Sequence, residues 1–597
     1  MNRETADCVV IGGGPAGSTF AGVVKKYSPH LRIVLLEQEH FPRYHIGEST
    51  IPAANGALRD LGVYDDLERS GFVKKMGIVF VWGEDRQPWN ADFLRVRDVA
   101  GDGHTVDVTG QDFTSILGEL RTRETPVTAF NVQRSDFDKM LLDRAREIGV
   151  DAREGTRVTE ILKTKEGAIS GVTWTDDRGR KGRIDAPFLL DASGLSSILT
   201  RRDRVFDPDM NNFAVYGYLK NADWKVTFNG KRDRSTVFIA AVEKGWIWYF
   251  PIRQDVMSVG AVTRRDHFTD RLKDLELEAF WWEMLQSCPE VKDLVKNAEV
   301  RTDILPNGQR VAASQDWSSW AKEPVGDGWA AAGDAAIFVD PILSSGVTLA
   351  LQSGHRAAYT FNTSRFRPDL PSRSLWNAYA DYIRGEYGAF LRLARHFYGN
   401  HKAAESWWWE AESLVNRTGR LELDPHQSFT MATCGFFPVM RAISPEVVGS
   451  LLNHLSGNKD LGRHGPDFLN VFRETGVPDK ATLAKCALET VAPFRLDLRT
   501  EPTTAREELG YLHVYHDLVT DDPRLTHRTA AVPWRIDPSL APVVQAIPQQ
   551  PTVSSLLTTA ESLVPRSETV PDVRDATLDL VRVAAMKGFV RLTPEAS

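Results

Sequence analysis

The sequence predicts an α/β fold with a Rossmann-like nucleotide-binding core, a mixed β-sheet and a mainly helical C-terminal region. Three observations predict this class. A strand, Cys8–Ile11, leads through a glycine-rich turn into a helix that ends near Tyr27, and a second strand follows at residues 31–36. Between residues 213 and 262, β-branched and aromatic residues alternate as they do in a sheet. From Ala350 onward the apolar spacing is helical.

The composition excludes several classes of protein. With 597 residues, 42% of them hydrophobic, the chain is long enough for more than one domain. A net charge of -8 argues against nucleic-acid binding, because phosphate recognition needs clustered Lys and Arg. The four cysteines form no CxxC pair, so neither a zinc site nor a disulfide framework is indicated. Without a long apolar run or a signal-peptide pattern, we expect a cytoplasmic protein with no membrane span.

We predict three regions along the chain. Residues 1–365 form the nucleotide-binding core, and a substrate-side sheet is inserted at about residues 205–324. Residues 366–497 form a helical region with dense aromatic residues. Residues 498–597 form a loop-rich segment that ends in a small cap.

The local patterns predict individual elements inside these regions. Helices are expected at residues 53–70 and 135–148. Residues 500–569 are rich in Pro, Thr and Ser and are expected to be mostly loop. A last helix at residues 570–586 is expected to end at Gly588.

The glycine-rich turn carries the first functional motif. Gly12-x-Gly14-x-Ala16-Gly17 allows the backbone to approach a pyrophosphate at the start of a helix. Glu37, twenty residues past Gly17, ends the second strand and is placed to hold a ribose hydroxyl. The alternative is a structural glycine turn, but strand, helix and acidic residue together favour dinucleotide binding.

A second motif lies more than three hundred residues downstream. Gly333-Asp334 follows a small apolar run, and Gly346 comes shortly after it. With this pairing, the chain resembles the flavoproteins of the glutathione-reductase and p-hydroxybenzoate-hydroxylase type, in which that Asp binds the ribityl chain of FAD. The resemblance covers about residues 5–360 and implies FAD rather than NAD. The alternative is a strand-to-helix turn with Asp334 as an N-cap.

Within that superfamily, one strand resembles the flavin-dependent halogenases. Gly245-Trp246-Ile-Trp248-Tyr-Phe250-Pro251 is similar to their WxWxIP motif, with Phe250 in place of Ile. The resemblance implies that Trp246, Trp248 and Pro251 shield the flavin and prevent direct oxygen insertion into the substrate. A Trp-rich strand is also common in protein cores, and prenyl reductases carry a similar strand.

A lysine is the residue on which this resemblance depends most. In Lys74-Lys75-Met-Gly-Ile78-Val-Phe80, Lys75 stands three residues before an aliphatic residue and five before a Phe, as does the catalytic lysine of the halogenases. The resemblance implies that Lys75 is catalytic and that Lys74 is its solvated neighbour. A Lys-Lys pair is otherwise an ordinary surface feature.

Two further segments resemble halogenase sequences near the cofactor. Phe41-Pro-Arg43 followed by Gly47-Glu48-Ser49 implies that Arg43 offsets pyrophosphate charge and that Ser49 lies beside the flavin. Gln133-Arg134 is similar to the segment whose Arg approaches the cofactor. The alternative for Arg134 is a salt bridge at the start of a helix.

The segment after Asp340 departs from the tryptophan halogenases. Leu343 occupies the position where those enzymes carry a Glu that polarises the substrate, which favours phenol-, pyrrole- and chloramphenicol-pathway relatives over free tryptophan. The resemblance implies that the backbone N–H groups of Ser345 and Gly346 bind the halide, and that Gly346 and Val347 contact the flavin. The alternative is a glycine turn without a ligand.

Residues 314–318 are similar to the QDWS segment of the chloramphenicol-type halogenase, in which the Asp is covalently linked to the flavin. Asp316 is therefore a candidate for covalent FAD attachment, although an Asp is also common in turns. The C-terminal ending resembles the winged-helix-like tail of those relatives. Because it lacks a basic patch, we expect it to cap the active site.

The resemblance implies a complete reaction. Reduced FAD, oxygen and chloride would yield hypochlorous acid, and Lys75 would direct its chlorine to an electron-rich or carrier-protein-tethered substrate. Only one dinucleotide fingerprint is present, so we expect a separate NAD(P)H-dependent flavin reductase. The rivals are an aromatic hydroxylase or a prenyl reductase of the same fold, and a non-catalytic flavin module. Substrate identity, chloride against bromide preference and oligomeric state stay open.

Overall fold

The structure is a computed structural model, and it describes residues 2–83, 86–93, 128–232, 234–366, 372–399, 429–430, 433–434, 480–490, 494–502, 508–518, 528–529, 534–536, 538–566, 570–586 and 590–594. In chain order, the strands are β1 (Asn2–Thr5), β2 (Cys8–Ile11), β3 (Ile33–Leu36), β4 (Val73–Lys75), β5 (Gly77–Val81), β6 (Pro88–Asp92), β7 (Ala129–Asn131), β8 (Asp151–Arg153), β9 (Thr156–Lys163), β10 (Ile169–Asp176), β11 (Lys181–Asp185), β12 (Leu189–Asp191), β13 (Arg204–Lys220), β14 (Thr236–Val242), β15 (Gly245–Arg253), β16 (Val256–Arg264), β17 (Glu299–Val300), β18 (Val311–Ala321), β19 (Val325–Gly326), β20 (Trp329–Ala331), β21 (Ile337–Phe338), β22 (Cys486–Thr490), β23 (Phe494–Pro502), β24 (Glu508–Leu518), β25 (Arg528–Thr529), β26 (Trp534–Ile536) and β27 (Val590–Pro594).

The α-helices are α1 (Pro15–Tyr27), α2 (Asn55–Leu61), α3 (Tyr64–Arg69), α4 (Arg134–Ile148), α5 (Arg265–Arg271), α6 (Leu277–Gln286), α7 (Pro289–Leu294), α8 (Gly346–Phe366), α9 (Ser372–Gly399), α10 (Lys480–Leu483), α11 (Ala541–Ala546), α12 (Val553–Leu563) and α13 (Val573–Met586).

A parallel sheet forms the nucleotide-binding core. Its strands lie in the order β20, β12, β2, β3 and β8, and the short β19 is antiparallel to β20 at one edge. The strands β2 and β3 consist of buried apolar residues, as is usual when helices cover both faces of a parallel sheet. Helix α1 starts at the carboxyl end of β2 and packs against α8 and α4. The predicted βαβ unit is therefore present, and the predicted fold class is confirmed.

A mixed sheet lies beside this core. Its order is β21, β18, β13, β16, β15, β14, β5 and β6, with β17 beside β13. Neighbouring strands are antiparallel except for the parallel pair β14 and β5. One face carries Trp246, Trp248 and Phe250 and turns toward the nucleotide-binding core, whereas Ile247 and Tyr249 pack on the other side with residues from α5, α6 and α7. Alternation along β15 thus separates two apolar cores.

Smaller sheets complete the described structure. The strands β1, β11, β10 and β9 form one of them, and β23 to β26 form another in the C-terminal part. Strand β22 pairs with β27, next to the packed helices α12 and α13. The boundaries at residues 365 and 497 remain a prediction.

Two local predictions are wrong, each for a physical reason, and the start of a third element is shifted. The helix expected at 53–70 is two helices, because Gly62 adopts a φ of 89° and ends α2. The stretch 500–569, expected to be mostly loop, contains strands and two helices. There Thr552 caps α12 by accepting a hydrogen bond from the Ser555 N–H at 3.0 Å, so it starts a helix. The last helix begins at Val573 rather than 570, and Gly588 lies outside the described residues.

Candidate active site

A cavity of about 550 Å³ lies between the carboxyl ends of the parallel strands and the inner face of the mixed sheet. Most of the predicted cofactor residues line it. The set comprises Gly12, Gly14, Ala16, Glu37, Arg43, Ser49, Arg134, Gly333, Asp334, Gly346 and Val347. Sequence positions more than 300 residues apart therefore meet around one space, and Gly17 lies just behind it in α1.

The glycine turn is shaped by contacts of its own backbone. A Cβ on Gly17 would lie 2.0 Å from the carbonyl oxygen of Gly12, and Gly12 itself has a φ of 104°. By contrast, a Cβ on Gly14 would meet only the Arg43 guanidinium, at 3.5 Å. Protein packing therefore requires Gly12 and Gly17, while Gly14 opens onto the cavity.

Glu37 holds the glycine turn in place. One carboxylate oxygen accepts a hydrogen bond from the Gly13 N–H at 2.7 Å, and the other accepts one from the Glu39 N–H at 2.9 Å. The carboxylate is nearly buried and also lines the cavity. Because each oxygen has a further lone pair, Glu37 can still accept a hydrogen bond from a ligand hydroxyl.

Two arginines approach the cavity from the opposite side of the turn. Arg134 is buried and makes a bidentate pair with Asp138, at 2.7 and 2.8 Å, so the predicted helix-start salt bridge is present. Its third nitrogen donates to the Ile46 carbonyl at 2.9 Å. The Nε of Arg43 lies 3.2 Å from the Glu39 carboxylate and its Nη1 lies 3.6 Å from Asp138, but neither nitrogen has hydrogen-bond geometry with a described residue. Arg43 therefore brings unused donors to the cavity wall.

Asp334 is an acidic residue in a largely buried position. Burial raises its pKa to about 6, and the cations of Arg134 and Arg204 act in the opposite direction. The adjoining Gly333 packs against Ala16, since a Cβ on Gly333 would lie 3.0 Å from the Ala16 side chain. The segment that carries Gly333 and Asp334 thus packs closely against the start of α1.

The predicted halide segment lies at the start of the long helix α8. Ser344 has a φ of 56°, and the helix begins two residues later at Gly346. In the described part of the chain, the Ser345 and Gly346 N–H groups have no backbone acceptor, and the buried Ser345 hydroxyl has no partner either. Gly346 lines the cavity, whereas the buried Leu343 packs into the core. Unused donors at a helix start suit an anion.

The tryptophans of β15 form part of the opposite wall. The Trp248 Nε1–H donates to the Ser258 hydroxyl at 3.1 Å, and the Trp246 Nε1–H donates to the Tyr398 hydroxyl at 2.6 Å. Tyr398, from α9, in turn donates to Asp340 at 2.8 Å. The wall and the segment before α8 are thus tied to one helix.

Strand alternation turns Phe250 into the cavity together with the tryptophans. Pro251, predicted to shield the flavin, is buried on the other side of the strand and does not line the cavity. The side chain of Asp316 lies outside the described residues. Its backbone belongs to β18, opposite Asn212 in β13.

Lys75 and Lys74 have contrasting environments. The Lys75 side chain is fully buried, and its Nζ donates to the Ser49 hydroxyl at 2.9 Å and to the Thr50 carbonyl at 3.1 Å. Burial lowers its pKa to about 7. Lys74 points to solvent and pairs with Glu68. Lys75 does not line the cavity, but Ser49 does. The hydrogen bond from Lys75 to Ser49 therefore connects the buried amine with the cavity wall.

Sequence reasoning missed a polar cluster inside this apolar space. Glu48 is buried and accepts a hydrogen bond from the Tyr218 hydroxyl at 2.8 Å. The Tyr218 hydroxyl oxygen lies 2.9 Å from that of Tyr44. Burial raises the pKa of Glu48 to about 7. The available signals were the GES motif itself and Tyr216-Gly-Tyr218, which puts two tyrosines on one face of β13.

These residues fit a dinucleotide cofactor such as FAD. Protein packing alone would tolerate a side chain at Gly14, so the glycine there leaves space for a ligand. Arg43 supplies hydrogen-bond donors that have no acceptor among the described residues. Glu37 and Asp334 add acceptors for hydroxyl groups at the same cavity. The described residues contain no group of three or more His, Cys, Asp and Glu side chains arranged to hold a metal ion. No helix among them combines the length and apolarity that crossing a membrane requires.

Comparisons with known proteins agree with this arrangement. A family model described as tryptophan halogenase matches residues 7–104 and 105–424. The Tryptophan 2-halogenase of Chondromyces crocatus is 29% identical over 412 residues, which are 68% of this chain and 70% of that protein. The 1H-pyrrole-2-carbonyl-(peptidyl-carrier protein) chlorinase of Pseudomonas fluorescens is 31% identical over 369 residues, 60% of this chain and 76% of that one.

Among solved structures, the myxobacterial chondrochloren halogenase CndH, described as a new variant of FAD-dependent halogenases, matches with a TM-score of 0.58. Its sequence is 30% identical, and the match covers 72% of this chain and 97% of that one.

Proposed function

The chain belongs to the tryptophan halogenase family of flavin-dependent halogenases, and from this premise we propose that it chlorinates an electron-rich or carrier-tethered precursor through hypochlorous acid and Lys75. The observation that carries the proposal is the Lys75 amine, buried and hydrogen-bonded directly behind the cavity wall. A lysine with a pKa near 7 is partly neutral at physiological pH and can act as a nucleophile.

The cofactor is FAD, and different cavity residues would bind different parts of it. Gly14 and Arg43 would hold the pyrophosphate, Glu37 a ribose hydroxyl and Asp334 the ribityl chain. In its reduced form, FAD would give two electrons to oxygen, and the partly reduced oxygen would then oxidise a halide to hypohalous acid. The protein would bind the cofactor, the halide and the substrate, exclude water from the cavity, and keep the hypohalous acid away from other oxidisable side chains.

The halide would bind at the start of α8. The unused N–H groups of Ser345 and Gly346 and the unpaired Ser345 hydroxyl lie at the helix start, where the helix dipole also favours an anion, although the buried Ser345 does not itself line the cavity. Val347 and Gly346 line the cavity beside them. Chloride is the halide that we propose, in keeping with the chlorinase among the relatives.

Asp316 is proposed as a covalent attachment point for FAD. The support is the local QDWS resemblance, and the strand that carries Asp316 borders the cavity at Ser314 and Gln315. The test is direct, since denatured protein with a covalent link retains flavin fluorescence in its band. Asp316→Asn should abolish that fluorescence while FAD still binds reversibly.

The substrate class follows from chemistry rather than from geometry. Hypohalous chemistry requires an electron-rich carbon, and one relative is named for a pyrrole held on a peptidyl carrier protein. Leu343, an apolar residue where tryptophan halogenases carry Glu, offers no carboxylate for an indole. A separate flavin reductase would supply reduced FAD, because the sequence has one dinucleotide fingerprint.

The decisive experiment adds oxygen to the protein loaded with chemically reduced FAD, with and without chloride. A 1,3-diketone traps electrophilic chlorine, and a set of simple phenols and pyrroles reports substrate chlorination. We expect chloride-dependent trapping in the wild type and in Lys75→Met, but substrate chlorination only in the wild type and in the matched control Lys74→Met. Equal substrate chlorination by Lys75→Met would refute the lysine role. Hydroxylated products with NADPH and no chlorine would favour the hydroxylase instead.

A further inference from the structure

Three neighbouring extended segments bring Lys75, Ser49 and Asn131 together. Strand β4, which ends at Lys75, pairs antiparallel with β7, which ends at Asn131. On the other side of β7, Ser49 lies directly opposite Asn131 in an isolated bridge. Backbone hydrogen bonds of 2.9 and 2.7 Å flank this bridge. All three side chains are buried, so the backbone fixes their relative positions.

The hydrogen bonds among these side chains have a defined direction. The Ser49 hydroxyl donates its one proton to the side-chain amide oxygen Oδ1 of Asn131 at 2.9 Å, so toward Lys75 it can only accept. The Lys75 amine donates to Ser49 at 2.9 Å and to the Thr50 carbonyl at 3.1 Å. A neutral amine has two N–H bonds and one lone pair, so both N–H bonds are engaged and the lone pair stays available.

We propose that Asn131, acting through Ser49, is a positioning residue that keeps the lone pair of the Lys75 amine available for an electrophile. The inference rests on the proposed role of Lys75. A second observation supports it, because the buried Asn131 Nδ2 has no hydrogen-bond partner among the described residues. An unused buried donor costs stability, which is unexpected if Asn131 served packing alone.

The surroundings of Lys75 favour the neutral amine. In the described part of the chain, no third acceptor is present for an ammonium group. The Cys434 thiol is the titratable group that acts on the amine, and burial raises its own pKa well above the usual range, so it carries no charge near neutral pH. Asp92, beyond Cys434, accepts a hydrogen bond from Asn229 at 2.6 Å. The Phe93 ring centroid lies 5.5 Å from Nζ, and this contact by itself would favour the ammonium form against the effect of burial.

The chlorine-transfer step balances with these groups. The Lys75 lone pair forms an N–Cl bond as the Cl–O bond of hypochlorous acid breaks, and the oxygen takes an amine proton to leave as water. Isocyanic acid tests the same lone pair in a reaction that needs neither flavin turnover nor halide. It is small and neutral, and it adds only to neutral amines: the nitrogen bonds to its carbon, and a proton moves to its nitrogen to give a urea.

The experiment treats FAD-loaded protein with cyanate between pH 6 and 10 and follows carbamylation of Lys75 by peptide mass spectrometry. Lys74, exposed in the same peptide, is the internal reference. We expect Asn131→Leu to slow the Lys75 reaction about tenfold at every pH, because Ser49 is then free to donate to the amine. Asn131→Asp keeps the acceptor but adds a carboxylate, which favours the ammonium form of Lys75. Carbamylation of Lys75 should therefore reach the wild-type rate, but the midpoint of its pH dependence should lie at least about one pH unit higher.

The outcomes separate the two levels of inference. A wild-type rate in Asn131→Leu, or an equal loss in both variants at all pH values, overturns the positioning role while leaving Lys75 reactive. An unreactive Lys75 in the wild type, with Lys74 modified normally, overturns the proposed role of Lys75 and this inference with it.

Discussion

Replacing Lys75 by methionine should make the protein more stable near neutral pH, although it should abolish substrate chlorination. The pKa of this fully buried amine falls from 10.5 to about 7 on folding. At pH 7 that shift costs the folded state about 4 kcal/mol relative to an unfolded chain with an ordinary lysine. Methionine is one atom shorter and carries no charge, but it leaves both the Ser49 hydroxyl oxygen and the Thr50 carbonyl without the amine as donor, at a cost of about 2 kcal/mol together. The net gain is about 2 kcal/mol.

The pH dependence gives the sign of this effect. As pH falls from 10.5 toward 7, the unfolded Lys75 takes up a proton that the folded protein excludes, so the wild type loses stability over this window. The methionine variant has no such loss. Its advantage should therefore shrink by about 1 kcal/mol from pH 7 to 8, where the folded amine is itself still partly protonated, and by about 1.3 kcal/mol from pH 8 to 9.

The assay is urea unfolding followed by tryptophan fluorescence at pH 7, 8 and 9. Lys74→Met is the matched control, and its exposed side chain should change the free energy of unfolding by less than about 0.5 kcal/mol. A Lys75→Met protein that is less stable than the wild type at pH 7 would refute the reasoning. So would an advantage that stays the same at pH 9.

Three substitutions test other parts of the cavity. Gly17→Ala puts a Cβ 2.0 Å from the Gly12 carbonyl oxygen, so FAD affinity in a fluorescence titration should fall at least about tenfold; unchanged affinity would contradict the role of this turn. Tyr218→Phe removes a hydrogen-bond donor from the Glu48 carboxylate, so the pKa of Glu48 should rise from about 7 by about one unit. The pH midpoint of the Glu48 carboxylic-acid infrared band measures this pKa, and an unchanged midpoint would show that the hydrogen bond contributes nothing. Ser345→Ala should raise the chloride KM about fivefold with little change in the bromide-to-chloride ratio, and an unchanged KM would locate the halide elsewhere.

The nucleotide-binding half of the site could be predicted because its residues are adjacent in sequence. Gly12, Gly14 and Gly17 lie within one turn, and Glu37 ends the next strand, so spacing alone defines their arrangement. The choice of Lys75 over Lys74 came from resemblance to a family, and burial of the one and exposure of the other are consistent with it.

The rest of the site depends on strand register, which cannot be read from local patterns in a single sequence. Asn131 reaches Ser49 across 82 residues and Tyr218 reaches Glu48 across 170, through pairings that no local pattern predicts. Polar residues in these strands carry no sign of which neighbour they will meet. The hydrogen bonds of Asn131 and Tyr218 form only when strands distant in sequence come together in the folded protein.

One serine side chain belongs to two compartments at once. Ser49 lines the cofactor cavity and also accepts a hydrogen bond from the amine behind it, so at this point a single residue separates the cavity from the Lys75 amine. Thermodynamic reciprocity then applies. Any factor by which a bound flavin changes the proton affinity of Lys75 must reappear as the same factor in flavin affinity when Lys75 is protonated. The slope of flavin affinity against pH near 7 is therefore a measure of communication across this residue.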